Sequence, residues 1–544
     1  MTADIEMYHC GPAALISALY DQLKIGNTID EMVYWDPAQC RLSPGTRIKA
    51  LVINMFGGRK PLYRMDEFYA NLDIENLFGK GVIKKDLTDY TLARSLDKLA
   101  DRGPQEVFST LCLRAICHEQ IKIKYLHNDT TSVSVYGAYN EEDGDDFIIT
   151  QGHSKAKRPD LNQFLFGLSV TQDKVPVCAE VKSGNTSDKT WNFKFIEKLA
   201  ENFDPDTLKD IIYVADSSLV TENNLMQIDK HKLKFISRLP GNFSLEKEIK
   251  ARAWKEDSFI ELGTFSDKKD SAVYRVQEFT EELCGKSYRF LVMHSSKLDG
   301  RKTRSLEKKL LKRQKELEKA IDELEKNAYA CAPDAEAALK AFKKQCGDSI
   351  YPVTGEVLAR EKRKPGRPGK NTPKEIVYFL KLQYSTDEKE IQKEKERLSC
   401  FVLITNLNEY TSSEILKEYK AQSSVETSFK FLKDPFFVGP IYLKNPERVE
   451  ALAYVLLIAL LIFGILERRV REALKKETEP LVIPGKVKTF NPTGKKILQS
   501  LEYVLVMTTS NPDRRAFSKS FKVPRVLALA GFEPDIYLDV KDNS

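Results

Sequence analysis

A change in hydrophobic pattern near Ile121 limits the fold more than any other feature of this sequence. From there IKIKYLHNDTTSVSVYG alternates between apolar and polar residues as a strand does, and FIITQGHSK, NQFLFGLSVTQ and VPVCAEVKSGN follow as further strands. A helix, TWNFKFIEKLAENF, comes next, and DIIYVADSS then has the unbroken apolar run of a strand buried on both faces. Strands, then a helix, then a buried strand predict a mixed α/β core.

Two aspartates lie at informative places in this predicted core. Asp129 stands within the first strand, and Asp216 stands at the C-terminal end of the buried strand. Strand ends in such sheets are where ligand sites gather. Each residue also has a purely structural interpretation, because Asp129 in DTTS can form a turn and Asp216 before two serines can cap a helix.

A third acid, Glu426, lies in EYKAQSSVETSFKFLKDP at 418–435, which has the spacing of one amphipathic helix ended by Pro435. Such a helix packs on a core and holds one carboxylate at its edge, with Lys430 and Lys433 placed to hold an anion. Taken alone, the pattern also fits an ordinary surface helix with a solvated charge. The helical period gives a polar stripe of Tyr419, Gln422, Glu426 and Lys433 beside an apolar stripe of Val425, Phe429 and Leu432.

The first 118 residues are predicted to be helical. PAALISALYDQLKI, SPGTRIKALVINMF, MDEFYANLDIENLF and LTDYTLARSLDKLAD each carry helical apolar spacing, and Gly, Pro, Asn and Asp separate them. A compact helical domain at the front of a basic protein can read DNA with one of its helices. A helical scaffold without a recognition role fits these residues equally well.

The stretch between Asp216 and Glu426 is far longer than one connection needs, so it must hold an inserted domain. Its first part is strand-like, as in GTFSDKKDSAVYRVQEF and KSYRFLVMH, and its middle, 304–345, is charged and helical. A heptad repeat of leucines in that middle fits a coiled-coil seam to a partner, but Pro333 and a second helix, AEAALKAFKKQ, favour a self-packed helical hairpin. The strand SCFVLITNL returns the chain to the core.

A Gly/Pro-rich basic segment, EKRKPGRPGKNTPK, occupies 361–374. It resembles the AT-hook type of minor-groove clamp, in which a Gly-Arg-Pro core lies extended in a narrow A·T groove. Pro365 stands where the longer consensus has Arg, and a plain basic linker is the alternative. The DNA contacts expected from this segment are Arg363, Lys364, Arg367 and Lys370. In the core segment GHSKAKRPD, Lys155 and Arg158 are further candidates for phosphate contacts.

Composition narrows the compartment and the partners. The net charge is only +6, from 85 basic and 79 acidic residues, so nucleic-acid affinity must come from local basic patches. Nine cysteines without a CxxC pair fit a reducing cytoplasm, and the Cys112, Cys117, His118 and His127 spacing matches no structural zinc module. We expect no signal peptide, and we expect the apolar run 451–466 to be a helix buried in the core rather than a membrane span.

Three acids on two strands and one helix suggest a specific chemistry. Mg²⁺ prefers oxygen ligands and keeps some of its water. Three carboxylates can hold two such ions about 4 Å apart, one activating the attacking oxygen and one stabilising the leaving oxygen of a phosphodiester. Asp129, Asp216 and Glu426 therefore predict a phosphoryl-transfer site.

At this point the sequence resembles a known family, the bacterial DDE transposases of the insertion-sequence-four superfamily. The resemblance rests on HNDTTSVSVYG, GHSKAKRPDLNQF, KSGNTSD and VADSS, and then on Tyr419-x2-Gln422-x3-Glu426-x6-Lys433, which is similar to that family's Y-x2-R-x3-E-x6-K signature. HCGPAALISALYDQLKIGNTID and SPGTRIKALVINMFGGRKPLYRMDEF also look like its helical front domain, so the resemblance runs from about residue 8 to 470.

The resemblance implies an RNase H-like core with a β-rich insertion before the glutamate, and Asp129, Asp216 and Glu426 as catalytic ligands of two Mg²⁺ ions, with Mn²⁺ as a substitute. It implies DNA contacts from Tyr419, Gln422 and Lys433, which we extend to Lys430. Gln422 departs from the family pattern, since it lacks the charge and the forked guanidinium of Arg. That difference affects end binding more than chemistry, and Lys420 and Lys430 offer compensating charge.

The expected layout is a helical DNA-binding domain at 1–118, a core at 119–238 and 399–470, an insertion at 239–398 and a C-terminal domain at 471–544. The expected partners are double-stranded DNA, as terminal inverted repeats and as target, and a second copy of the chain on DNA, without a membrane. The expected place is the bacterial cytoplasm, at the nucleoid. The expected reaction is cut-and-paste transposition, which this family suggests runs through a hairpin end. An RNase H-like nuclease without strand transfer and a catalytically idle DNA-binding protein are the alternatives.

Overall fold

The computed structural model describes residues 5–137, 139, 147–152, 158–265, 271–297, 300–347, 350–362, 375–439, 441–508, 514–518 and 522–540. Its contacts divide the chain into two compact units. The first unit contains Met1–Ser237, Thr405–Tyr410 and Glu414–Ser544, and the second contains Arg238–Ile404 and Thr411–Ser413.

The N-terminal part of the first unit is helical, as predicted. Ser43 and Thr88 start two of its longer helices by accepting backbone N–H bonds from Thr46 and Thr91. The elements are β1 (Glu6–Tyr8), α1 (Ala13–Gln22), α2 (Ile25–Met32), α3 (Pro44–Phe56), α4 (Met65–Phe68), α5 (Ile74–Phe78), α6 (Asp89–Arg102) and α7 (Pro104–His118).

The segment MDEFYANLDIENLF forms two short helices, α4 and α5, where the sequence predicts one. A 3₁₀ turn at Tyr69–Asn71 separates them. The Asp73 side chain accepts a hydrogen bond from the Asn76 N–H, which starts α5 as a new helix. The prediction of one helix was wrong because Asp73 offers the backbone a local partner that competes with helix continuation.

Five neighbouring strands of one mixed sheet form the centre of the first unit, in the order β4-β3-β2-β5-β6. The first three strands pair antiparallel, while β2, β5 and β6 run parallel. The mixed α/β core predicted from the sequence is therefore confirmed. Its elements are β2 (Tyr125–Val135), β3 (Asn162–Thr171), β4 (Pro176–Ser183), α8 (Asp188–Asn202), α9 (Pro205–Asp210), β5 (Ile212–Ala215), α10 (Glu222–Lys230) and β6 (Lys234–Arg238).

One predicted strand is not seen in the part of the chain that the structure describes. In FIITQGHSK, residues 147–149 form no ladder, and Thr150 makes a single antiparallel bridge with Gln163. Gln163 already pairs with Ser134 on its β2 side, so the segment only touches the end of β3. The remainder of that sequence, from His153 onward, lies outside the described residues.

The second unit contains a four-stranded group in the order β12-β9-β8-β7 and a separate two-stranded hairpin of β10 and β11. Strands β8 and β9 pair antiparallel over their whole lengths, and so do β10 and β11. The elements are α11 (Ser244–Glu256), β7 (Ile260–Thr264), β8 (Val273–Leu283), β9 (Lys286–Ser295), α12 (Gly300–Glu325), α13 (Ala332–Cys346), β10 (Val353–Lys362), β11 (Glu375–Tyr384), α14 (Glu388–Ser399) and β12 (Cys400–Thr405).

The leucine repeat of α12 faces the β10–β11 hairpin. Leu317 and Leu324 pack against a cluster that includes Ile321 of α12 and Leu380 and Leu382 of β11, and α13 adds its own apolar side chains to the same cluster. The coiled-coil interpretation is therefore not needed to bury these leucines. The sequence predicted two helices packing on each other, but both helices pack on a β hairpin that the sequence analysis missed.

The chain returns to the first unit along the segment that carries Glu426. The predicted single helix over 418–435 is two helices, because Ala421 and Gln422 form a tight turn between them. The Gln422 N–H bonds the Tyr419 carbonyl, and the Val425 N–H bonds the Gln422 carbonyl, which are the i to i+3 bonds of a 3₁₀ turn. The returning elements are α15 (Ser412–Lys420), α16 (Ser423–Lys433), α17 (Pro446–Leu474), β13 (Leu481–Ile483), β14 (Val487–Thr489), α18 (Gly494–Gln499), β15 (Val504–Thr508), β16 (Arg514–Ser518) and α19 (Val523–Ala530).

Helix α17 is the apolar helix predicted at 451–466, and it is buried as predicted. Within the described ranges it is the one helix long and apolar enough to cross a membrane by length and composition, and 89% of its most apolar window is buried inside the protein. The segment after α17 packs on the front of the chain, since β1 pairs with β15 and the Tyr537 hydroxyl donates to the Gly11 carbonyl.

Candidate active site at Asp129 and Asp216

The two predicted aspartates stand at matching positions on neighbouring strands. Parallel pairing joins β2 to β5 in register, and its last pair is Asn128 with Ala215. Asp129 is the next residue of β2, and Asp216 is the first residue after β5. Adjacent strands lie about 4.8 Å apart, so the sheet brings these two residues side by side.

Tyr213 lies near both aspartates, and they affect the pKa of its phenol. Its side chain is fully buried in the sheet, and burial raises the pKa of this phenol well above its ordinary value. The nearby negative charges of Asp216 and Asp129 raise the same pKa further. Both carboxylates therefore lie near the same buried phenol, which agrees with their neighbouring places in the sheet.

Strand β2 presents different residues to its two faces. Asn128 faces α8, because its side-chain amide donates to the Asn192 Oδ1. His127 faces the other side, where its Nε2 lies 2.9 Å from the Glu418 Oε1 on α15. Side chains alternate along a strand, so Asp129 faces the same side as His127. Helix α16 packs over β2 and β3 on that side.

Glu426 lies in the first turn of α16, which follows α15 along the same side of β2. It is exposed, and no salt bridge or hydrogen bond engages its carboxylate within the described part of the chain. Together with Phe429, Lys430, Lys433 and Asp434 it lines one open surface hollow. The fold therefore gathers the predicted third acid and two predicted cations in one place.

Asp216 both ends β5 and caps the element that follows. Its Oδ1 accepts the Ser218 backbone N–H at 2.9 Å and the Ser218 hydroxyl at 2.5 Å, which starts the 3₁₀ helix Ser217–Leu219. The capping interpretation of this residue is therefore confirmed, and it leaves Oδ2 without a hydrogen bond among the described residues. The turn interpretation of Asp129 was wrong, because the residue lies inside β2 and pairs with Leu168.

Comparison with known families decides the class of protein. The family model of the transposase DDE domain matches residues 166–462, which is more than half of the chain. This chain belongs to the DDE transposase family. A second model, a domain of unknown function (DUF4277), matches residues 5–113 of the helical front. A search of the curated proteins finds no match.

The matched transposase domain contains Asp216 and Glu426, while Asp129 lies before it. The register of β2 against β5 is thus the observation that ties Asp129 to the matched domain. The chain is an enzyme that acts on DNA, and its family uses divalent metal ions, generally Mg²⁺.

The aspartate pair of the transposase fits such an ion. Both side chains are hard oxygen donors, and both are half-buried. No three His, Cys, Asp or Glu side chains of the described residues lie close enough together to form a complete metal site. Mg²⁺ usually takes one or two protein carboxylates and fills its shell with water and substrate phosphate, so a pair is sufficient to begin a site. The participation of Glu426 stays a prediction.

The residues of the transposase that are predicted to contact DNA differ in exposure and in their neighbours. Lys430 and Lys433 are exposed beside Glu426, and Tyr419 is half-buried. The Gln422 Nε2 lies 3.5 Å from the Asn128 carbonyl, so this amide approaches β2 where an arginine would carry charge. Arg158 is exposed and forms a 2.6 Å ion pair with Asp160. Lys155, Arg363, Lys364, Arg367 and Lys370 lie outside the described residues.

Sequence reasoning missed several polar residues behind the aspartate pair. Asn128, Asn192 and Tyr213 are almost fully buried, and they connect to Asp216 through Ser218. An Asn in a core strand needs a hydrogen-bond partner when it is buried. Asn128 in HNDTT was therefore the one residue of this group that the sequence could have indicated. Asn192 gave none, because a single Asn in TWNFKF is also common on a helix surface.

Proposed function

We propose that this transposase binds the ends of its own element and moves it by DNA cleavage and strand transfer. The observation that carries the proposal is the register of β2 and β5, which sets Asp129 beside Asp216. Asp129 lies on β2, Asp216 follows β5 directly, and α16, the helix of Glu426, packs on β2. Two carboxylates at one edge and a third on the adjacent helix suit a phosphodiester reaction.

The strand order supports an RNase H-like core. Three antiparallel strands, β4, β3 and β2, continue into the parallel strands β5 and β6. The first acid lies on the central strand of this group, and the second follows the end of its parallel neighbour. The second unit interrupts the chain between Asp216 and Glu426, as an insertion of the expected family would.

In the proposed mechanism, Asp129, Asp216 and Glu426 would hold two Mg²⁺ ions, and Mn²⁺ would substitute for them. When bound, the ions supply an activated oxygen nucleophile and charge stabilisation at the leaving oxygen. The chain itself orients the reacting phosphate, since Lys430 and Lys433 stand beside Glu426 and can bind phosphate oxygens. Water first attacks a phosphodiester and breaks its P–O3′ bond, which leaves a 3′-hydroxyl and a 5′-phosphate. That hydroxyl then attacks a target phosphodiester in line, and the target's own 3′-oxygen leaves as its P–O3′ bond breaks.

The remaining parts of the proposal concern the assembly. We propose that two copies act on paired terminal inverted repeats, that excision passes through a hairpin end, and that the protein works at the bacterial nucleoid. Tyr419, Gln422, Lys155 and Arg158 would contact DNA close to the core. Arg363, Lys364, Arg367 and Lys370 would enter an A·T-rich minor groove.

The decisive experiment measures cleavage and joining separately. Full-length protein is incubated with Mg²⁺ and a labelled end fragment, and nicking and transfer of the label to plasmid DNA are both recorded. We expect both products from the native chain, and neither from Asp129→Asn, Asp216→Asn or Glu426→Gln, while end binding is retained. Glu323→Gln, which removes an exposed carboxylate on α12, is the matched control and should be fully active.

Each alternative has its own outcome. Nicking without joining would identify an RNase H-like nuclease, and tight binding without nicking would identify an idle DNA-binding protein. Full nicking by any of the three acid variants would remove that residue from the proposed site.

A further inference from the structure

Behind the aspartate pair lies a directed chain of hydrogen bonds. The Asn128 side-chain amide donates to the Tyr213 hydroxyl at 2.5 Å, and that hydroxyl donates to the Asn192 Oδ1 at 2.7 Å. The Asn192 amide then donates to the Ser218 hydroxyl at 2.9 Å, which donates to the Asp216 Oδ1 at 2.5 Å. The chain thus begins one residue before Asp129 and ends on the carboxylate of Asp216.

The direction of these bonds has a consequence for Asp216. Each hydroxyl in the chain accepts one hydrogen bond and donates one, so neither can rotate without losing a partner. Asn128, Tyr213 and Asn192 are all at most 2% exposed, where an unmade hydrogen bond is costly. The Ser218 hydroxyl is therefore held on the Oδ1 of Asp216, which fixes the rotation of the carboxylate.

We infer that Asn192 and Ser218 are positioning residues that aim the Asp216 Oδ2 at a divalent cation. This inference rests on the proposed function of Asp216 as a metal ligand. Groups that orient a ligating carboxylate commonly change metal affinity by about 10- to 100-fold when removed. Such residues act on the metal through Asp216 and do not touch the DNA.

The test measures metal affinity as well as activity. In full-length protein, Ser218→Ala should raise the Mg²⁺ concentration for half-maximal cleavage by about 10-fold or more, and should weaken Mn²⁺ binding measured by electron paramagnetic resonance without DNA. Ser218→Thr keeps the hydroxyl and should restore both values. Ser217→Ala removes the neighbouring hydroxyl of the same 3₁₀ helix and is the matched control.

A second variant keeps the test informative if Ser218→Ala is unstable. Tyr213→Phe removes the hydroxyl that holds Asn192 and should shift the Mg²⁺ requirement in the same direction by a smaller factor. Unchanged Mg²⁺ and Mn²⁺ affinity in Ser218→Ala, with Asp216→Asn inactive, would overturn the positioning role alone. An active Asp216→Asn would overturn the proposed function first.

A separate observation in the second unit carries another inference. Five cations of α12 recur three or four residues apart: Arg304, Lys308, Lys312, Lys315 and Lys319. At 3.6 residues per turn they fall within a stripe about 80° wide and about 22 Å long. All five are exposed. Their stripe lies opposite Leu317, Ile321 and Leu324, which pack on the hairpin.

Few acidic side chains neutralise the five cations of this stripe. The acids of this stretch, Glu307, Glu316 and Glu318, fall beside it rather than within it. Lys312 approaches Glu316 at 3.7 Å with both side chains largely exposed, which is a weak interaction. Lys308, Lys315 and Lys319 form no salt bridge within the part of the chain that the structure describes. A duplex carries one negative charge per about 1.7 Å, so about a dozen phosphate charges match the length of the stripe.

We propose that this face of α12 is a contact surface for duplex DNA backbone. The contact is independent of sequence, because lysines on an exposed helix reach phosphates and nothing here reads base edges. It adds to affinity and leaves the chemistry unchanged.

Salt dependence tests this surface directly. For a 30-base-pair duplex of arbitrary sequence, the triple variant K308Q/K315Q/K319Q should lower the slope of log affinity against log salt by about 2.7, from about 0.9 per lost phosphate contact. Its cleavage rate at saturating DNA should equal that of the native chain. The control K340Q/K343Q/K344Q removes the same charge from exposed positions of α13 in the same unit. Equal slopes for the two triple variants, or no change in either, would overturn the proposal.

Discussion

The sheet edge of the first unit and the basic face of α12 use charge in opposite ways. At the sheet edge, two carboxylates are held in register by strand pairing, and one of them is oriented by two hydrogen bonds from Ser218. On α12, the cations are exposed, and no packing fixes where their side chains end. Position decides the effect of a charge in the first case, and the number of charges decides it in the second.

Buried charge pairs of the first unit should be expensive to break. Arg469 and Glu119 are 14% and 7% exposed and form a salt bridge at 2.5 Å. Glu119→Gln leaves the guanidinium without its charge partner, and we expect a loss of about 3 kcal/mol in the free energy of unfolding, measured in urea. Glu316→Gln on α12 breaks an exposed pair and should cost less than about 0.5 kcal/mol. Equal losses would remove the distinction between the two regions.

The Arg469–Glu119 pair also predicts that the free energy of unfolding depends on pH. Burial alone would raise the pKa of Glu119, but hydrogen bonds from Arg469, with a contribution from His118, lower it below its ordinary value. A lowered folded-state pKa contributes stability that is complete above the ordinary pKa, about 4.3, and is lost as pH falls through the folded value. The stability difference between the native chain and Glu119→Gln should therefore shrink below about pH 4, which urea titrations across pH would record.

At Asp216, a carboxylate in a shifted position should not support normal nicking. Asp216→Glu keeps the negative charge but moves it by one methylene, and a misplacement of that size commonly costs about 100-fold in rate. We expect that loss in Mg²⁺-dependent nicking, with end binding unchanged. The corresponding change on α12, Lys315→Arg, should leave both nicking and binding as they are. Normal nicking by Asp216→Glu would show that charge alone suffices there.

An added side-chain carbon should destabilise the protein more at Gly167, in the packed sheet, than at Gly241, where there is open space. Gly167 pairs with Thr130, next to Asp129, and an added Cβ would lie 2.6 Å from the Trp191 ring. Gly167→Ala overpacks this site and should cost about 2 kcal/mol, measured as a drop in melting temperature. Gly241→Ala in the second unit meets nothing within 4 Å and should be close to neutral. A neutral Gly167→Ala would indicate that the sheet yields to Trp191.

The smallest effect is expected from one lysine of α12. Lys315→Gln removes a single exposed cation and should reduce the salt slope of duplex binding by about 0.9, with no change in melting temperature. Fluorescence anisotropy between low and moderate salt can measure this difference. A tenfold loss of affinity at fixed salt would mean that Lys315 makes a fixed contact like those of the sheet edge.

Local patterns predicted much of the fold because they depend on neighbouring residues only. Alternation and apolar runs located β2 to β5, and helical spacing located α1, α3, α6 and α17. The prediction failed where a distant partner decides the structure. The hairpin of β10 and β11 packs on α12 and α13, and the sequence analysis predicted neither strand. The break at Gln422 depends on how α15 and α16 meet β2, where its amide approaches the Asn128 carbonyl.

The candidate site shows the same division. The sequence by itself determined which acids are available, since a predicted strand, a strand end and one amphipathic helix singled out Asp129, Asp216 and Glu426. Only the tertiary structure decided that Asp129 and Asp216 are neighbours, and that Asn192 and Ser218 stand behind them. Strand pairing and buried hydrogen bonds join residues that are far apart along the chain, and no local pattern records which partner each one will meet.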